Sequence, residues 1–192
     1  MFPVLFSLVS NLLHFLLIIK KIDSTAATEL SSLAKNIYVH HYSHLWMEGG
    51  MDWYMNEFAY PVSKISKEID NENCLHYIAY RNKKAIGYLK INIHAAIGGG
   101  DTQEGIELER IYIDHQAVNA GVGTFLMNFV LDIAKSYQKK YIFLKAMDTA
   151  EKAIKFYNKM GYAVVSKFRL SDTIFHLMKE EYRGMIVLKK QV

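Results

Sequence analysis

The segment Glu107 to Gly123, Glu-Leu-Glu-Arg-Ile-Tyr-Ile-Asp-His-Gln-Ala-Val-Asn-Ala-Gly-Val-Gly, constrains this chain more than any other. Ile106 to Ile113 reads as a β-strand. From Gly121 to Tyr137, Phe125, Leu126, Phe129, Val130, Ile133 and Ala134 recur at helical spacing. A strand that turns through a short loop into an apolar-faced helix needs a sheet with helices packed on it. The first N–H groups of a helix have no partner within it, and its dipole is positive there. Such an end holds phosphate, and Gly121 and Gly123 let a ligand approach the backbone. The same glycines also serve plain strand-to-helix packing.

The rest of the chain supplies that sheet. Leu16 to Ile22 predicts a first strand, and Asp23-Ser24-Thr25 supplies capping side chains for a helix over Ala26 to His40. An aromatic-rich helical stretch runs from Tyr54 to Ile69, interrupted at Pro61. Leu75–Tyr80 and Ala85–Ile93 flank the polar turn Arg81-Asn82-Lys83-Lys84 and read as a hairpin. Gly98-Gly99-Gly100-Asp101 is a loop. Tyr141–Ala146 is a strand, and Glu151–Met160 is a helix stopped by Gly161. Tyr162–Ser166 and Met185–Lys189 are the last strands. The order is β-α-α-β-β-β-α-β-α-β-β, an α/β (α+β) class with a mixed, mostly antiparallel sheet flanked by helices.

At 192 residues the chain suits one domain, here residues 16–192, with an apolar extension over residues 1–15. Met1 to Ile19 carries no charge. A signal peptide would have a basic start, and none is present. A membrane anchor needs roughly 20 apolar residues, and Pro3, Ser7, Ser10, Asn11 and His14 dilute this run. Giving Leu16–Ile19 to the first strand leaves residues 1–15 as a cover for the domain, a partner contact or a membrane contact. A cytoplasmic setting is the expectation. One cysteine, Cys74, excludes an internal disulfide framework and any Cys-built metal site. The net charge of +4, from 23 basic and 19 acidic residues, suits a small polyanionic ligand and is too small to argue for nucleic acid. His40, His41, His44 and His76 match no metal-site spacing, so no metal is expected.

Three further features carry chemistry. Strand alternation puts Glu107, Glu109, Ile111 and Ile113 on one face, where the two carboxylates are plain surface or line a pocket for an amine. Tyr157 lies on the apolar side of the Glu151–Met160 helix, in the core or in a site. Trp46, Trp53 and Tyr54 form either an acceptor wall, whose ring faces attract ammonium groups, or an aromatic mini-core. Glu48, Asp52 and Glu57 would rim that wall or simply be solvated.

Taken together, Val118-Asn119-Ala120-Gly121-Val122-Gly123 and Ala153-Ile154-Lys155-Phe156-Tyr157-Asn158-Lys159-Met160-Gly161-Tyr162 resemble the GNAT superfamily of acyl-CoA-dependent N-acyltransferases. The resemblance spans about Leu16 to Lys190. His44-Leu45-Trp46 and Asp52-Trp53-Tyr54 look like its polyamine-acetyltransferase branch. It implies acetyl-CoA as co-substrate, its pyrophosphate on the amides of Val118, Asn119, Ala120, Gly121, Val122 and Gly123. It also implies a pantetheine arm along Ile111, Tyr112 and Ile113, near Phe156. Tyr157 would be the acid for the departing thiolate and Glu107 the general base, with Trp46, Trp53, Tyr54 and Glu109 around the acceptor amine. Val118 stands where the family carries Gln or Arg, and Ala150 where many members carry Asn.

An alkylammonium with a pKa of about 10.4 is nucleophilic only about once in 10³ molecules at neutral pH, a cost of roughly 4–5 kcal/mol unless something takes the proton. The thiolate needs a proton donor, and the tetrahedral oxyanion a hydrogen-bond donor. Transfer is direct, so the lack of a Ser-His-Asp or Cys-His set is no objection. The expected function is acetyl transfer to the primary amine of a small molecule, a polyamine among the candidates, with a homodimer as one expected assembly. The rival reading is a non-catalytic acyl-CoA-binding or interaction module on the same scaffold, which Val118 and Ala150 favour and Tyr157 and Glu107 oppose.

Overall fold

A computed structural model describes residues 17–118 and 121–192. The extension read over residues 1–15 lies outside them, as do Asn119 and Ala120. Strand β1 (Leu17–Lys21) leads into helix α1 (Ala27–Tyr42) through a turn in which Asp23 accepts from the Thr25 amide at 3.0 Å. Helix α2 (Gly50–Trp53) widens into a π-helical turn over Tyr54–Phe58, closed by the Ala59 amide on the Tyr54 carbonyl at 2.8 Å. Helix α3 (Val62–Ile69) then starts afresh, because Pro61 has no N–H to continue the preceding turn. The stretch read as one interrupted helix from Tyr54 is thus two helices, the first starting at Gly50.

Strands β2 (Cys74–Arg81) and β3 (Lys84–Asn92) form the hairpin, with Asn82 and Lys83 at positive φ in the tight turn. Strand β4 (Gly105–Ile113), α4 (Val122–Ser136), β5 (Tyr141–Met147), α5 (Glu151–Lys159), β6 (Ala163–Arg169) and β7 (Gly184–Gln191) follow. The seven strands form one sheet in the order β1-β2-β3-β4-β5-β7-β6. All neighbours are antiparallel except β4 and β5. The β6 strand runs three residues beyond the expected Ser166.

Each face of the sheet has its own core. On one, Val122, Leu126, Met127, Val130 and Ala134 of α4 bury against Leu75, Leu89, Ile91, Ile106, Leu108 and Ile142, with α5 packed alongside. On the other, α1 and α3 bury Leu30, Ala34, Ile37 and Ile65 against Ile78 and Tyr88, and Met178 from the β6–β7 connection joins them. Among the described residues no helix is long and apolar enough to cross a membrane.

One irregularity decides the site. The β3–β4 register jumps from Lys90↔Arg110 to Ile91↔Leu108, so Glu109 is the extra residue of a bulge. Simple alternation would have put Glu107, Glu109, Ile111 and Ile113 together. The bulge corrects this. Ile111 and Ile113 join Ile106 and Leu108 on the α4 side, while Arg110 and Tyr112 turn with the glutamates toward α1 and α3.

Candidate active site

Parallel pairing of β4 with β5 covers only Gly105↔Tyr141 to Glu107↔Phe143. Beyond it the strands part and leave a cavity of about 370 Å³. Its walls are Leu108–Tyr112 of β4, Leu144–Met147 of β5, Tyr54, Phe58, Lys64 and Glu68 from the α2–α3 region, and Ala150, Ala153 and Tyr157 around α5. Tyr38, Tyr42 and the β6–β7 connection close it with Phe175 and Met178.

The free edge of β4 follows from the ladder. The Asp114 amide donates to the Ile86 carbonyl at 2.8 Å, and bonded and non-bonded pairs alternate in an antiparallel ladder. Tyr112 therefore bonds toward β3, and Ile111 and Ile113 direct their main-chain groups at the gap. His41 Nε2 donates to the Ile113 carbonyl at 2.9 Å. Among the described residues, the Ile111 groups and the Ile113 N–H are left open on that side.

The two glycines at the head of α4 divide the functional and the packing readings between them. Gly121 holds φ +75° at the N-cap, and a Cβ there would meet nothing within 4 Å. At Gly123 a Cβ would come to 3.2 Å from Phe156 Cζ and 3.6 Å from Ile113 Cδ1, so its bareness lets α4 pack against α5 and β4. The first bond onto the helix head runs from the Phe125 amide to the Gly121 carbonyl at 3.0 Å. The amides of Val122, Gly123 and Thr124 are thus without helical partners, an arrangement suited to phosphate oxygens. Val118 is exposed.

Tyr157 lines the cavity, with no protein hydrogen bond to its hydroxyl among the described residues. Burial raises its pKa, so it stays protonated at neutral pH. Glu107 is not among the lining residues. Its carboxylate lies 2.8 Å from Lys145 Nζ and accepts from Asn92 Nδ2 at 3.1 Å. Glu109 does line the cavity, but Lys90 and Asn92 each reach it at 2.8 Å. Burial pushes its pKa up, and Arg110 and Lys90 outweigh that and hold it below the ordinary carboxylate value. Of the aromatic residues singled out in sequence, Tyr54 lines the cavity. Trp46 is buried behind it at a ring distance of 4.7 Å, and Trp53 packs on Phe58 at 4.9 Å, so neither belongs to the wall. No group of side chains among the described residues is arranged to hold a metal ion.

Sequence reading missed a charged network beneath the wall. Glu68 takes Arg110 Nη1 and Nη2 at 2.9 and 3.2 Å and Lys90 at 3.2 Å. Burial raises the Glu68 pKa, and His76, Arg110 and Lys90 together reverse this and bring it to about 2. The signal was present as Lys90 among the apolar residues of β3 and Arg110 next to the glutamates of β4.

The sequence model of the acetyltransferase (GNAT) family matches residues 39–162. The chain belongs to the GNAT acetyltransferases. A relative, the uncharacterized N-acetyltransferase in the pepI 3′ region of Lactobacillus delbrueckii subsp. lactis, is 25% identical over 129 residues, 67% of this chain and 72% of that one. The fold is similar to that of the PaiA N-acetyltransferase from Thermoplasma acidophilum, solved in complex with coenzyme A. The TM-score is 0.71 at 18% identity, covering 92% of this chain and 99% of that one. Aminoglycoside 6′-acetyltransferase type Ii shares the GNAT fold at a TM-score of 0.62 and 17% identity, covering 91% and 96%. At these identities the structures speak for the fold alone. Membership makes the chain an acetyl-CoA-dependent N-acyltransferase.

Proposed function

We propose that this enzyme moves the acetyl group of acetyl-CoA directly onto the primary amine of a small molecule held between β4 and β5. The observation that carries this reading is the convergence of Tyr157 and the open β4 edge on one cavity. The amides at the head of α4 take the pyrophosphate, and Ile111 and Ile113 take the pantetheine arm as a further strand would. The amine attacks the thioester carbon, and a C–N bond forms. The oxyanion then collapses, the C–S bond breaks, and Tyr157 protonates the leaving thiolate. A tyrosine with a raised pKa is a weak acid, but the apolar burial that raises it also raises the proton affinity of a thiolate formed beside it.

Glu107 and Glu109 already accept protein cations and amides, so we assign removal of the amine proton to water in the cavity. A polyamine remains the first compound to try, from the branch resemblance. The wall itself favours an acceptor with few ammonium groups, because its two carboxylates, Glu68 and Glu109, are already ion-paired. The setting proposed is cytoplasmic. The assembly proposed is a homodimer through β6, an edge strand on which Val164, Val165 and Phe168 are 44%, 50% and 39% exposed. The test is an amine panel read by mass spectrometry, alongside melting with acetyl-CoA. A rise in Tm and acetylation of at least one amine are expected. Acetylation of proteins with no small amine modified would overturn the small-molecule reading.

A further inference from the structure

The cavity wall leaves one cation over. Its charged residues are Lys64, Glu68, Glu109, Arg110 and Lys145. Arg110 serves Glu68 and also reaches Glu109 at 3.4 Å, Lys90 serves both from beneath, and Lys145 is taken by Glu107. Lys64 has no carboxylate within 4.0 Å among the described residues. Its natural partner would be Glu68, one turn further along α3. Glu68 instead turns inward to Arg110 and Lys90. Lys64 Nζ is steadied by the Phe58 carbonyl at 2.5 Å and lies 4.9 Å from the centre of the Phe58 ring. A held ammonium with donors to spare, in a cavity whose other charged side chains are already paired with one another or with Lys90 and Glu107, is a seat for an anion.

Resting on the small-molecule reading above, we infer that the acceptor carries a carboxylate beside its amine, and that Lys64 binds this carboxylate. The acceptor class is then an amino acid with an apolar or aromatic body, matching Tyr54, Phe58 and Phe175 around the seat. Lys64 sets specificity and takes no part in bond making.

The experiment measures kcat/KM for paired probes, phenylalanine against phenylalaninamide and a series of ω-amino acids against their amides. Wild-type enzyme, Lys64→Met and Lys64→Arg are compared. The acid of at least one pair is expected to be preferred by about tenfold or more, since a hydrogen bond between charged groups is worth at least that. Lys64→Met should reduce the preference to within about threefold, mainly through KM, and Lys64→Arg should keep it. Amine reactivity is the same for wild type and variants, so only a preference that depends on Lys64 counts as recognition of the carboxylate. An unchanged acetyl-CoA effect on Tm certifies that the variants are folded. Equal use of acids and amides, or a preference that survives Lys64→Met, would overturn the inference and leave the small-molecule reading standing. Transfer to polyamines or other small amines but to no acid of the pairs would also overturn the inference alone, whereas acetylation of proteins with no small amine modified would overturn both.

Discussion

Tyr157 and Glu107 were matched to the family together, and the fold separates them. Tyr157 faces the cavity with an unengaged hydroxyl, while Glu107 is held by Lys145 and Asn92 outside the lining. The two should therefore respond differently to isosteric change. Tyr157→Phe is expected to lower kcat by about 10²-fold or more, the usual range for losing a general acid, with the acetyl-CoA effect on Tm retained. Glu107→Gln is expected to cost less than about tenfold, since only a partly exposed ion pair is lost. Steady-state kinetics on both variants with one acceptor checks this. A larger loss at Glu107 would restore it as the base. Tyr157 was legible because its helix and the Gly161 stop are local patterns. The position of Glu107 was not, because a bulge at Glu109 is set by pairing with β3, which no period within β4 announces. For the same reason Lys64, Arg110 and Phe175 escaped notice, since they meet only after α3, β4 and the β6–β7 connection are brought together.

At the level of elements, the strands and helices were readable almost throughout, because most are marked by their own apolar spacing and several by a local signal at an end, such as Asp23 before α1, Pro61 before α3 and Gly161 after α5. The exceptions have local causes. The π turn at Tyr54–Phe58 comes from the packing of an aromatic cluster, and the extension of β6 follows its partner β7 to Gly184. The head of α4 offers a direct test. Gly121→Ala places a side chain at φ +75°, at a cost of roughly 1–2 kcal/mol. That should lower Tm by roughly 2–8 °C and weaken coenzyme binding, both measurable by thermal shift with and without acetyl-CoA. On β6, Val165→Lys is expected to turn the proposed dimer into a monomer in sedimentation velocity runs while leaving the fold intact, because an edge lysine discourages strand-to-strand pairing.

For the whole molecule, the buried charges set the response to acid. Glu68 titrates near 2 when folded, against 4.5 as the reference value. Its lowered pKa contributes stability that is complete above about pH 5 and is lost as pH falls toward 2. The shift corresponds to about 3 kcal/mol at most. His76 acts in the same direction at higher pH. Burial lowers its pKa despite Glu68 nearby, so unfolding takes up a proton below about pH 6.5. Chemical denaturation across this range should show a stability plateau near neutrality, a first decline below about pH 6.5 and a steeper one below about 5. Glu68→Gln should flatten the steeper limb.

The parting of β4 from β5 has a consequence for solvent access to individual amides. The N–H groups of Ile111 and Ile113 point into the gap, whereas that of Tyr112 is held by β3. Deuterium should therefore enter positions 111 and 113 quickly and position 112 slowly, an every-other-residue pattern along one strand. Coenzyme laid along the gap would slow the two fast positions and leave the slow one unchanged, so the missing eighth strand would be read out as the loss of that alternation.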